Sequence, residues 1–241
     1  MARAKIILFS LLLCGAIAQA DIVFPDDEIP SESVTPRLDS PRAAMNRTVQ
    51  FKNKIETKLS YGFLLDEPFY QNSYLSVGLG YSWSEISGVS LRYLKWGQGL
   101  SDYSRQFGNT AASLQFGRAP GPDMGYSLSY DYRFFYGKVS FSKKTVLPTV
   151  LGSVFEAGLI KYGSRNLPFF GTGLVNSWYF SNPGDTSHWG VNVGVRIYMR
   201  TVVDPLSKDL SAASATVPSE SEFGTASRIS TTFDLGLQYI F

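Results

Sequence analysis

One side chain in this sequence suits general acid–base chemistry near neutral pH without a large pKa shift: its single histidine, His188. Asp185 and Ser187 stand beside it, so a carboxylate, a hydroxyl and an imidazole, the parts of a hydrolytic triad, fall within four positions. Their closeness in sequence argues against the chemistry. Ser187 and His188 lie where the chain turns extended, and successive residues of a strand point to opposite faces. We expect an interfacial, non-catalytic histidine and no enzyme. Other chemistries find less support. The sole cysteine is Cys14, no cluster has metal-ligand spacing, and the glycines alternate along extended stretches instead of opening helices as phosphate or dinucleotide loops require. No cofactor, metal or catalytic residue is expected.

A second set of reactive groups is ionic. Glu56, Lys58, Arg92, Asp131, Arg133, Glu156, Arg196 and Asp234 are set among small or polar residues that alternate with apolar ones. Four are acidic and four basic, so side chains brought together on one face could neutralise each other. Lys54 and Arg200 share the pattern but fall near strand ends, where a water-exposed rim is an equally good home.

The elements that must position these charges are strands. In KIETKLSYGF, Ile55, Leu59, Tyr61 and Phe63 fall on one face and Lys54, Glu56, Lys58, Ser60 and Gly62 on the other, a period of two. The pattern returns in YLSVGLGYSW, from Ile86 to about Lys95, and from Tyr126 to Phe134. Two less regular strands follow, at 151–162 and 168–180, with Gly152, Glu156, Gly158, Gly171 and Gly173 on the inner face. It is clear again from Trp189 to Arg200 and in the terminal FDLGLQYIF. Long polar segments at 97–122 and 204–227 read as loops, the first with a short helix near 109–115, and 137–148 reads as a connector.

Composition fits this pattern. Charged residues are 17% and aromatics 15%, with 14 Tyr, 17 Phe and 22 Gly among 241 residues, low in charge and rich in aromatics beside soluble usage. Residues 1–20 read as a secretory signal, with Arg3 and Lys5, an apolar stretch from Ile6 to Ile17 and an Ala18-Gln19-Ala20 cleavage site. Without them, basic and acidic side chains balance at 20 each, so nucleic acid is not an expected partner. Residues 21–47, with Pro25, Pro30, Pro36 and Pro41, read as a disordered periplasmic extension, and 48–241 as the folded part.

Strands of about 9 to 12 residues with one apolar face are long enough to cross a bilayer when tilted. A soluble sandwich is the rival. Aromatics gathered near strand ends, as in membrane girdles, and an alternation of long and short connections favour an eight-stranded antiparallel transmembrane β-barrel, with the charges in its lumen. FDLGLQYIF then places Phe233, Leu235, Leu237, Tyr239 and Phe241 toward lipid and Asp234, Gly236 and Gln238 toward the lumen, with Ile240 as the exception near the rim.

On the strand starting at Lys54, the segment Tyr132-Arg133-Phe134-Phe135-Tyr136-Gly137-Lys138, the glycine-spaced strands around Gly158 and Gly171-Thr172-Gly173, and the terminal Phe233 to Phe241, the chain resembles the small outer-membrane β-barrel proteins of Gram-negative bacteria, in particular a group from predatory and gliding bacteria. The group often carries a proline shortly before Tyr-Gly-Lys, which this chain lacks. The resemblance implies Sec-type export with cleavage near Ala20, and residence in the outer membrane among lipid and lipopolysaccharide. It also implies handling by periplasmic chaperones and the barrel-assembly machinery, with the terminal aromatic strand as the assembly signal. It supplies no activity. The expected role is structural or adhesive, through the long loops, with a lumen plugged by paired charges; the alternatives are a narrow pore for small solutes and a lipid-modifying enzyme.

Overall fold

A period of two with large apolar residues on one side and small or charged residues on the other suits a sheet whose two faces meet different surroundings. In the computed structural model the sheet closes on itself. The structure describes residues 47–97, 99–110, 114–140, 146–180, 186–211, 216 and 218–241, of which Arg47–Phe241 form one compact unit. The signal and most of the extension read from the sequence lie outside the described residues.

Eight strands follow in chain order: β1 (Lys54–Leu64), β2 (Ser73–Ser82), β3 (Ser87–Trp96), β4 (Pro122–Ser140), β5 (Val146–Tyr162), β6 (Arg165–Phe180), β7 (His188–Val203) and β8 (Thr225–Ile240). Each pairs antiparallel with the next, and β8 pairs with β1, so every strand has two neighbours and no edge is left open. The sandwich alternative is thereby excluded. Register sets the width. Followed around the wall, Thr57 leads through Leu79, Leu91, Leu128, Ala157, Phe170 and Met199 to Ile229, ten residues before the Tyr239 that Thr57 meets directly across the seam. An eight-stranded wall with this stagger tilts its strands by roughly 40° and encloses a lumen only as wide as its own side chains. That narrowness explains the inner glycines: a Cβ at Gly171 would collide with the Tyr198 ring, and one at Gly62 with Tyr74 and Asp234.

Three local readings differ from the sequence expectation. The connector read at 137–148 is largely strand, because β4 runs to Ser140 and β5 starts at Val146. A bulge between Arg133 and Phe135 makes this possible, since the extra residue reverses the alternation and turns Tyr136 inward opposite Val150. The helix comes earlier than 109–115. Helix α1 spans Asp102–Thr110, and Ser101, whose hydroxyl accepts from the Ser104 N–H at 3.2 Å, caps its start. Finally, β8 starts at Thr225, within the segment read as loop.

The long connections, 97–121 and 204–224, lie at one end, with 65–72 and the two-residue turn at Gly163, whose φ is +57°. The opposite end carries the connection 83–86, the last residues of β4 and β6 and the first of β5 and β7, and receives the segment that precedes β1.

Candidate functional site

Alternation delivers all eight expected charges to the lumen, where they form two groups. In the first, each of two arginines reaches both of two carboxylates. Arg92 Nη1 donates to Glu156 Oε2 at 2.7 Å and its Nη2 lies 3.9 Å from Asp234 Oδ1, while Arg196 pairs with Asp234 and its Nε lies 4.0 Å from Glu156 Oε2. Hydroxyls fill the remaining positions: Tyr198 donates to Glu156 at 2.8 Å, and Ser127 and Tyr74 donate to Glu156 and Asp234. In the second group Arg133 pairs with Glu56, Lys58 Nζ lies 3.5 Å from Glu56 and 2.8 Å from Asp131, and Ser82 donates to Glu56 at 2.7 Å. Burying a charge costs several kcal/mol unless a partner and hydrogen bonds compensate, so these groups tie β1, β3, β4, β5, β7 and β8 to one arrangement.

The two side chains suited equally to a rim part company. Lys54 is half-buried at an end, donating to the Thr186 carbonyl at 2.8 Å. Arg200 is only 2% exposed and reaches Glu67 of the 65–72 connection at 2.5 Å. Glu67 was missed by sequence reasoning because a lone acidic residue in a short loop carries no periodic signal.

Apolar clusters lie above and below the charged layer. At the long-loop end, Phe116, Leu210 and Phe223 descend from the loops onto Leu64, Trp96, Ile160, Tyr162, Phe169, Tyr198 and Val202 of the wall. At the opposite end, Val49 and Phe51 tuck beneath Val150, Tyr179 and Ile240. Ile240, which broke the alternation as the rim exception, thus belongs to this cluster. Between the clusters lies a cavity of about 50 Å3, lined by Glu56, Lys58, Asp131, Arg133, Ser177 and Gln238 among others. It has room for only a few waters.

His188 is 2% exposed and faces inward, opposite Ile240. Ser187 precedes the strand, and Asp185 lies outside the described residues.

The outer surface reverses the lumen's character. Leu235 and Leu237 are each 51% exposed and Phe241 54%, with Phe233 and Tyr239 half-buried among neighbouring rings. All five point outward on one line. Aromatic contacts gather at two levels: Trp83 with Tyr130, and Trp189 with Tyr239 and Phe241, near one end; Phe63 with Phe233, and Tyr93 with Tyr126, nearer the other. Phe241 and Phe233, eight positions apart, mark the two levels on one line. At ~3.3 Å per residue and a tilt of ~40° the levels lie about 20 Å apart along the axis.

No family model and no curated protein matches the chain. Solved β-barrels do. The N-terminal β-barrel domain of Pseudomonas aeruginosa OprF aligns over 79% of this chain and 98% of its own at 10% identity, with a TM-score of 0.42. Neisserial surface protein A aligns over 77% and 94% at 9% identity, with a TM-score of 0.36.

Proposed function

We propose that the chain is an integral outer-membrane protein of Gram-negative type, set with its long loops outward, that works as a closed scaffold for surface contacts and not as an enzyme or an open pore. The observation that carries this reading is the inversion of the barrel. An apolar band bounded by two levels of aromatic rings covers the outside, and paired charges fill the inside. Water on both faces would leave that band without a partner, whereas lipid supplies one and the closed sheet leaves no open strand edge in it. The apolar clusters at both ends and the small cavity support a plugged lumen. The loops 97–121 and 204–224, on a rigid wall, are where a structural or adhesive contact with lipopolysaccharide or another surface would be made.

The test pairs outer-membrane fractionation with heat-modifiable migration on a detergent gel. The expected result is an outer-membrane barrel that runs differently before and after boiling; recovery in the soluble fraction without detergent overturns the reading. In planar bilayers the purified barrel should give no steady current, and a sustained open current would sink the plugged lumen. The outward line from Phe233 to Phe241 suits the signal read by the barrel-assembly machinery. Deleting Phe241 should therefore lower outer-membrane yield several-fold while leaving total synthesis unchanged, and equal yield would remove that role.

A further inference from the structure

The segment Arg47–Asn53 is no part of the wall, yet it carries two of the most deeply buried side chains, Val49 at 0% and Phe51 at 1% exposure. Asn53, with φ at +57°, turns the chain at the foot of β1 and directs the segment beneath the lumen. Phe51 then sits under the charged layer, with the Arg133 guanidinium 4.3 Å from its ring centroid and the Tyr179 ring edge-on at 5.6 Å. One carboxylate holds the segment in place. Glu85, in the 83–86 turn, accepts the Phe51 and Lys52 backbone N–H groups at 3.1 Å each, and Arg47 reaches it at 3.4 Å. The Thr48 N–H donates to the Tyr136 hydroxyl at 2.9 Å, a partner that faces inward only because of the bulge at Phe134.

We infer that Arg47–Asn53 is a stopper that closes the inner mouth of the barrel and that Glu85 is its latch. The inference rests on the barrel reading above but adds a movable part to it. The wall strands pair with each other around the full circle without help from this segment. Its removal therefore leaves the wall's pairing intact while uncovering Arg133 and Tyr179, two of the side chains that line the lumenal cavity.

The test reads access to the lumen from the inner side. Cys14 is the only native cysteine, so a Cys14→Ser chain carrying Ser177→Cys offers one thiol, at a buried position lining the cavity. A second chain carrying Ala119→Cys places the thiol in the cluster at the opposite end. Each barrel is purified, checked for heat-modifiable migration and treated with a small charged thiol reagent. Adding Glu85→Ala or Phe51→Ala should speed modification at position 177 at least tenfold and leave position 119 unchanged. Glu85→Gln, which keeps an acceptor for the backbone but loses the charge facing Arg47, should fall between. An unchanged rate at 177 overturns the proposal. So does equal acceleration at both positions, which is general loosening, and so does failure of all three variants to give a heat-modifiable barrel, because a stopper must be dispensable to the wall. Fractionation of the unmodified protein is independent of these outcomes, so failure of the stopper and failure of the membrane reading are distinguishable.

Discussion

The two ends of the lumen are both shut by apolar side chains, but they are shut differently. The long-loop end gathers 14 buried residues from the wall and from the loops. The other end relies on five, two of them on the segment before β1. Rings that descend from loops anchored at both sides share their burial with the wall, and losing one leaves a cavity that many neighbours line. The segment before β1, held by Glu85, the Tyr136 hydroxyl and the packing of Val49 and Phe51, shares its burial with fewer neighbours. An eight-stranded barrel therefore spreads the stability of one end over its wall and leaves the other end's closure nearly separate from it.

Substitutions should expose the contrast, most strongly in the cores. Phe116→Ala, in the larger cluster, should lower unfolding stability by about 3–5 kcal/mol in urea titrations of the vesicle-embedded barrel. Phe51→Ala should cost less than half as much. Equal losses would mean that the inner closure is as much part of the wall as the outer one. The carboxylates give a smaller contrast of the same sign. Glu67→Ala leaves Arg200 buried without its ion-pair partner and should cost about 3 kcal/mol, whereas Glu85→Ala, at a half-exposed turn, should cost ~1–2 kcal/mol in the same titration. A larger loss at Glu85 would reverse the comparison.

The smallest effect is one of pH, at the long-loop end. The Ser219 backbone N–H, then its hydroxyl, hold the Glu222 carboxyl below its ordinary value of 4.5. A carboxyl depressed in the folded state stabilises above its unfolded pKa, and that contribution is lost as pH falls through the folded value. Acidification below about pH 4.5 should therefore loosen the 219–222 turn, read as faster amide hydrogen exchange there, and Glu222→Gln should abolish the pH dependence.

Much of this molecule can be read from its residues because a period of two leaves little choice. Once Glu56, Arg92, Asp131 and Asp234 share a face with glycines and serines, they must meet inside a narrow barrel. What escaped reading was aperiodic. The bulge at Phe134 shifts register by one residue and so hides Tyr136 and the ends of β4 and β5 from any alternation count. Val49 and Phe51 precede the first alternating stretch and merge with a polar extension. Glu67 and Glu85 sit in turns, where only the closed structure shows what they reach. In the helix the signal is present, Ser101 followed by Asp102, but the polar run on both sides of it hides where the helix starts.

The seam between β1 and β8 has a kinetic consequence. Every other pairing in the wall joins consecutive strands through a connection, but Thr57 meets Tyr239 across almost the whole length of the folded unit. Closing so long a loop costs more chain entropy than any hairpin, and contacts of high sequence separation form slowly. The seam should therefore close after the hairpins. Until it closes, β1 and β8 each present a free edge, and the hydrogen-bonding groups of Leu59 and Leu237 are open to whatever strand arrives first.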